Sequence, residues 1–343
     1  MSEHARKSLD ASRLEPYLSE TLGLRGSVSI ERFTGGQSNP TYLVRVGKER
    51  LVLRTKPDGE LLPSAHAVDR EFRVISALAS SDIPVARALA LCDDPRVIGR
   101  TFYLMEYVEG RVFWDPLLPE LDVSQRAAIF DEMNRIIAAL HMVDPGSVGL
   151  ANYGRSGAYL ERQVARWTRQ YKASETARIE AMENLIDWLP AHMPKDFETT
   201  LVHGDFRLDN LIFHPTRPRV LAVLDWELST LGDPLVDFAY NAMSWHIDKS
   251  YSGLRGVAGA DLASLGIPDE ITYVARYCER TGRTRSQHWD YYIVFNLFRL
   301  AGILQGITAR ALQGNATNMA AKEFGRHAEP LADIAWRKAQ RIR

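Results

Sequence analysis

The chain has 343 residues, of which 45% are hydrophobic and 25% charged. That is ordinary globular composition and excludes a collagen, a mucin stalk or a disordered tail. Lys+Arg of 42 against Asp+Glu of 43 leaves a net charge of -1, which asks for neither nucleic acid nor a membrane surface as partner.

At roughly 100–200 residues per domain the length predicts about two domains or one bilobal unit, with enough chain to bury a core unaided. Cys92 and Cys278 lie far apart and form no metal or redox spacing, so a reducing cytoplasm fits. The opening MSEHARKSLDASRLEP has no apolar h-region, so no signal peptide is expected. No stretch of about 18 apolar residues is apparent, so no transmembrane helix is expected either.

Asp10 is placed to cap a first helix carrying Leu14, Tyr17, Leu18 and Leu22 at helical spacing, with Gly23 ending it. Residues 28–33, 41–46 and 50–54 are short, alternating and rich in β-branched side chains. Gly35-Gly36 and Gly47-Lys48 punctuate them, which predicts an antiparallel meander. A loop with Pro57, Gly59 and Pro63 precedes a helix over 64–79, the only one expected in this lobe. Two strands follow at 85–91 and 101–107.

Beyond Glu109-Gly110 the pattern turns helical, at 124–142, 156–175 and 177–189. Strand texture returns briefly within 199–225, where LIFH and RVLAVLDW flank the turn 215–218. From 234 onward the chain reads as helix, the longest over 288–311. The fold class is α+β, and three segments follow: an N-terminal helix (1–25), a small β-rich lobe (26–108) and a larger helical lobe (109–343). A cleft between two lobes is a usual small-molecule site.

The densest chemical signal is LVHGDFRLDNLIFHPTRPRVLAVLDWE, residues 201–227. Phosphoryl transfer needs charge neutralisation on the phosphates, an orienting base for the attacking hydroxyl, and metal ions. Asp205 and Asn210, five apart in one loop, can supply an orienter and a hard-oxygen metal ligand. Asp225, presented from a hairpin, can supply a second. The bland alternative is that His203 and Asp205 cap a turn and Asp225 ends a strand. A zinc site lacks a third ligand at the usual spacing.

This segment resembles the aminoglycoside phosphotransferase-like branch of the protein-kinase-like fold, in which H-G-D-x-x-x-x-N replaces the kinase H-R-D-x-x-x-x-N. The resemblance implies a bilobal fold with a small antiparallel sheet lobe and a larger helical lobe. It implies ATP and Mg²⁺ as cofactors, Asp205 as catalytic aspartate, Asn210 and Asp225 as metal ligands, and His203 bracing the loop. Thr34-Gly35-Gly36-Gln37-Ser38-Asn39 falls where the phosphate-covering loop belongs, although a plain hairpin turn would look the same. LVLRTKP aligns with V-A-I-K and puts Arg54 where the family has lysine; arginine keeps the charge and adds a planar fork. Lys56 is a second candidate on the same face, or a solvated strand end.

Glu71 is then the natural ion-pair partner of Arg54, or a surface glutamate. Met105-Glu106-Tyr107-Val108 resembles a kinase hinge, with backbone groups of Glu106 and Val108 holding adenine and Met105 lining the pocket. Asp233-Pro234 reads as an N-cap with Pro at N1. Asp237 resembles the second aspartate of G-D-P-x-x-D, supporting the catalytic loop.

The acceptor is a small molecule. Residues 251–343 carry 13 Lys+Arg against 8 Asp+Glu, which argues against a polycationic aminoglycoside and agrees with an anion. Tyr292, Asn296 and Arg299 share one face of an apolar helix and either touch substrate or form a buried network. LVLRTKPDGELLPSAHAVDREFRV, VHGDFRLDNLIFHP and LDWELSTLGDPLVDFAY are similar to the kinase-like domain fused ahead of acyl-CoA dehydrogenase domains, over roughly residues 20–340. That resemblance implies a hydroxy acid or hydroxyacyl-CoA as acceptor. The 343 residues leave no room for a dehydrogenase domain, so no dehydrogenase activity is expected. The rival readings are a nucleotide-binding pseudokinase or adaptor, which the missing lysine favours, and a protein kinase, against which the short segment 228–236 speaks. The oligomeric state and the choice of ATP over GTP stay open.

Overall fold

Helix α1 (Ala11–Leu22) starts where the Asp10 carboxylate accepts the Ser12 N–H at 3.0 Å and stops at Gly23, whose φ of 68° is left-handed. Strands β1 (Val28–Arg32), β2 (Thr41–Val46) and β3 (Glu49–Thr55) form an antiparallel meander. Helix α2 (Val68–Leu78), strand β4 (Ala88–Cys92), the single turn α3 (Pro95–Ile98) and strand β5 (Phe102–Glu106) follow. The computed structural model describes residues 9–33, 39–57, 67–155, 157–195, 198–251, 253–312 and 325–342.

The five strands pair in the order β1-β2-β3-β5-β4, so β3 lies in the middle. Thr41 and Tyr103 flank Arg54 across the sheet. One sheet face buries Val44, Leu53 and Leu104 against Leu14 and Leu18 of α1. Each such side chain stabilises by about 1.5–3 kcal/mol. Among the described residues, α3 adds a short second helix to the one expected between 26 and 108. The helix expected at 64–79 is described from Val68, with α2 burying Val74 and Leu78 and packing against β4 and β5.

The chain forms two compact units. The first comprises residues 1–111 with 212–215 and 221–228, the second the remainder. In the second unit, helix α4 (Val123–His141) opens with a capping box in which Asp122 and Gln125 exchange hydrogen bonds. Helices α5 (Tyr159–Ala173) and α6 (Glu180–Ala191) and strand β6 (Thr200–Val202) follow. Strands β7 (Leu211–Phe213) and β8 (Val220–Val223) then pair, and most of that hairpin belongs to the first unit. The backbone of Phe213 there exchanges two 2.8 Å hydrogen bonds with Arg111. Gly110 permits that approach, because a Cβ would strike Phe213 O and Ile212.

Strand β9 (Thr230–Gly232) pairs with β6 and leads into α7 (Pro234–Ala242); α8 (Leu262–Leu265), α9 (Glu270–Thr281), α10 (Trp289–Leu312) and α11 (Ala328–Ala339) complete the second unit. Helix α10 packs against α5, α7 and α11. By length and composition α10 could cross a membrane, with mean hydropathy 1.3, which corrects the expectation that no such stretch exists; 72% of that window is buried inside the protein.

Leu53→Ala empties a fully buried position in the central strand. It should lower unfolding free energy by about 2–5 kcal/mol, read as a shifted denaturant midpoint at unchanged m-value.

Candidate active site

In the first unit, Arg54 emerges near the end of β3 and joins residues from two other places in the chain. Its Nε lies 2.7 Å from Glu71 Oε2, its second terminal nitrogen pairs with Asp225 Oδ1, and Glu227 Oε2 is 4.0 Å away. Glu71 is 1% exposed and also accepts from Asn39 Nδ2 at 2.6 Å and the Tyr103 hydroxyl at 3.1 Å. Burial raises the Glu71 carboxyl above its ordinary value, with Arg54, Asn39 and Tyr103 opposing. Burial works against the Arg54 guanidinium too, but Glu71 and Asp225 outweigh it and hold Arg54 above its ordinary value, permanently charged. A buried cation is tolerated on such terms, paired and hydrogen-bonded.

Asp225 adopts φ 63°, left-handed for a residue with a Cβ. Such a conformation costs on the order of 1–3 kcal/mol and persists where surrounding contacts determine it; the Arg54 pair is one. This turn also ends β8 at Val223, two residues short of the strand texture in RVLAVLDW.

Gly35, Gly36, Gln37 and Ser38 lie outside the described residues. Asn39, the last residue of that loop, is the one whose side chain reaches Glu71. Met105 and Glu106 end β5, and the Glu106 N–H goes to Arg87 O at 3.0 Å. Val108 lies two residues past the strand, half-buried, and Lys56 just past β3.

The second unit holds the H-G-D segment. Asp237, in the first turn of α7, accepts the His203 N–H on Oδ2 and the Gly204 N–H on Oδ1, both at 2.8 Å. Gly204 has φ 84°, which the motif's glycine supplies without steric cost. His203 is buried, and its Nδ1 accepts the Asp205 N–H at 3.2 Å. Asn210 Nδ2 donates to Asp205 O at 2.8 Å and Oδ2 at 3.2 Å. Arg207 Nε lies 3.1 Å from Asp205 Oδ1, and the Tyr240 hydroxyl is raised above its ordinary value by burial and then by the charge of Asp205. A carboxylate so held faces a defined direction.

Asp237 is itself wholly buried and takes a third bond, from His141 Nε2 at 3.1 Å; His141 Nδ1 meets the Tyr277 hydroxyl at 2.7 Å. Burial pushes Asp237 up, but His141 and His203 hold it below the ordinary carboxylate range. Burial pushes His141 down. The neutral tautomer with its proton on Nε2 fits both bonds. Asp233 caps α7 by accepting the Leu235 N–H, with Pro234 following; burial pushes its carboxyl up to about 6.

Tyr292, Asn296 and Arg299 do share a face of α10, and all three are buried. Asn296 donates to Val236 O and Tyr292 O at 2.9 and 3.0 Å. Arg299 donates to Gly204 O at 2.6 Å from between the rings of Tyr240 and Trp167, 4.5 and 5.1 Å away. They bind the chain itself, on the far side of the H-G-D segment's backbone. Asn39, Tyr103, His141, Arg207 and Tyr240 escaped sequence reasoning, since no short motif joins them to their partners; Tyr103 faces Arg54 only through strand register.

A small antiparallel sheet carrying a buried arginine–glutamate pair, with an H-G-D-x-x-x-x-N loop in a helical unit, defines a kinase-like phosphotransferase fold. The chain belongs to the phosphotransferase enzyme family, whose family model matches residues 29–289. It is 49% identical over 325 residues to mouse acyl-CoA dehydrogenase family member 10, covering 94% of this chain and 30% of that protein. It is 41% identical to chicken acyl-CoA dehydrogenase family member 11, covering 97% and 44%. The chain thus spans less than half the length of these curated relatives. A crystal structure from Ralstonia eutropha, provisionally named an aminoglycoside phosphotransferase, superposes with TM-score 0.88 at 50% identity, covering 97% of this chain and 99% of that one. The aminoglycoside phosphotransferase APH(4)-Ia, solved with AMP-PNP and hygromycin B, superposes with TM-score 0.62 at 18% identity, covering 96% and 99%; it shares the fold.

At about pH 6 His141 should be protonated to a smaller extent than a free histidine, because burial lowers its pKa. Since its folded value lies below the unfolded one, its contribution to stability is complete above about pH 6.5 and drains away as pH falls. Histidine ¹⁵N spectra should show the proton on Nε2; an imidazolium signal as large as a free histidine's at that pH would contradict the assignment.

Proposed function

We propose that this phosphotransferase is an ATP- and Mg²⁺-dependent small-molecule kinase whose acceptor is the hydroxyl of an anionic hydroxy acid or its acyl-CoA thioester. The observation that carries the reading is the fixed Asp205 carboxylate, held by Arg207 and Asn210 on a loop that Asp237 pins by its backbone. Asp205 orients the acceptor hydroxyl and takes its proton as the phosphoryl group transfers in line.

The donor set suits a magnesium ion. Both Asn210 hydrogen bonds run through Nδ2, so its amide oxygen is left for a cation. The Asp225 pair with Arg54 uses Oδ1, so Oδ2 is left likewise. Each is a hard oxygen of the kind magnesium takes. When bound, that ion would neutralise charge on the phosphates. Arg54 adds a fixed positive charge, oriented by Glu71, in the lysine's place.

Two observations support the acceptor class. Arg207 and Arg255 both reach Asp209, beside Asp205, at 3.5 Å and in direct contact. The pairing leaves no surplus of carboxylate there for a polycation. The acyl-CoA dehydrogenase names of the relatives point to acyl chemistry. Free Cys92 and Cys278 suit the cytoplasm.

Asp205→Ala should lower kcat by about 10²–10⁴-fold while nucleotide binding persists, measured as ATP consumption with Mg²⁺ over hydroxy acids, hydroxyacyl-CoAs and aminoglycosides. Turnover of aminoglycosides alone, or none despite bound ATP, would overturn the reading. Arg54→Ala strands Glu71 and should cost about 3–5 kcal/mol of stability. Arg54→Lys should fold and lose about tenfold in nucleotide affinity as the fork is lost, read by calorimetry.

A further inference from the structure

A pocket of about 50 Å³ opens in the second unit beside the catalytic loop. Its floor is apolar and buried: Phe130, Met133, Met243, Ile247 and Leu254. Its polar wall includes Arg207, which pairs with Asp205, and Tyr240, which senses the Asp205 charge. Whatever occupies it therefore lies against the residues that flank the catalytic carboxylate.

The rim carries two groups with bonding capacity to offer. Asp209 is 8% exposed, and its Oδ1 is buried without a hydrogen-bond partner, while Oδ2 takes Arg255. A buried acceptor left in this state costs about 1–3 kcal/mol. Arg255 gives Asp209 one N–H and stacks over Trp114 at 5.3 Å. Its other donors suit a carboxylate or a thioester carbonyl. Arg255 stands at φ 60°, another left-handed position bearing a side chain.

We propose that this pocket is the acyl subsite of the acceptor, taking the short aliphatic tail of a hydroxy acid or hydroxyacyl thioester, with Arg255 on its carbonyl end. The inference rests on the phosphotransferase reading for its meaning, and its test does not. On the measure in which one water needs about 10–15 Å³, the pocket admits a few such groups. An apolar floor under an arginine rim excludes a polycation and ranks acids by chain length.

The test is calorimetric titration, without nucleotide, of straight-chain 2-hydroxy acids from lactate upward. Trp114, 58% exposed at the rim, gives a parallel fluorescence signal that Trp114→Phe removes. Affinity should rise about fourfold per carbon over the first few carbons and then fall about tenfold as the chain outgrows the floor. Leu254→Ala and, independently, Ile247→Ala should move the cut-off to longer chains. Affinity that ignores chain length, or a cut-off unmoved in both folded variants, overturns the subsite. Length-ranked binding without phosphoryl transfer to any acceptor upholds it and sinks the kinase reading. Transfer without length ranking sinks the subsite alone.

Discussion

The catalytic half of this protein depends on one buried carboxylate. Asp237 has no water to turn to, and it takes two consecutive backbone N–H groups on its two oxygens and an imidazole N–H besides. Each bond is charge-assisted, so each is stronger than a neutral one. Together they fix the peptide planes of His203 and Gly204, and the direction of Asp205 follows. His141 and Tyr277 extend the network into the helical core, where Phe238 stacks on the Tyr277 ring at 3.9 Å. Arg299 secures the same loop through the Gly204 carbonyl. A loop fixed at donors and acceptor alike holds a reacting group without help from the substrate.

The nucleotide half obeys the same rule with the charges exchanged. There the buried centre is the guanidinium of Arg54, and carboxylates gather around it. Glu71 is locked by Asn39 and Tyr103, so the arginine is oriented by a partner that cannot swing away. A lysine would present one point charge; the planar fork of arginine meets Glu71 on one edge and Asp225 on another. The guanidinium therefore keeps a fixed positive charge at the position where the sequence departs from lysine.

Much of this was legible in the residues. The alternation of β1 to β3, the caps of α1 and α7, and the Asp205, Asn210 and Asp225 set all follow from local spacing. Strand ends were less legible. RVLAVLDW continues as strand by texture, yet the left-handed turn at Asp225 cuts it at Val223. The helix 289–312 reads as apolar throughout, and its Asn296, Arg299 and Tyr292 invite a substrate. Burial makes them partners of α7 and the catalytic loop instead, because a polar group inside a core is satisfied by the nearest backbone.

The sequence by itself determined the candidate set: an arginine in the third strand, an H-G-D-x-x-x-x-N loop and a following aspartate, which are local patterns of backbone and charge. Tertiary structure alone decided which side chains surround them. Asn39 and Tyr103 on Glu71, His141 on Asp237, and Tyr240 beside Asp205 come from distant segments that only packing brings together. The apolar floor beside Asp205 joins Phe130 to Leu254 across more than a hundred residues, and no periodicity encodes such a pocket. Spacing along a chain specifies contacts within a turn or a hairpin; contacts across a core follow from burying apolar faces together, and burial is a property of the whole fold.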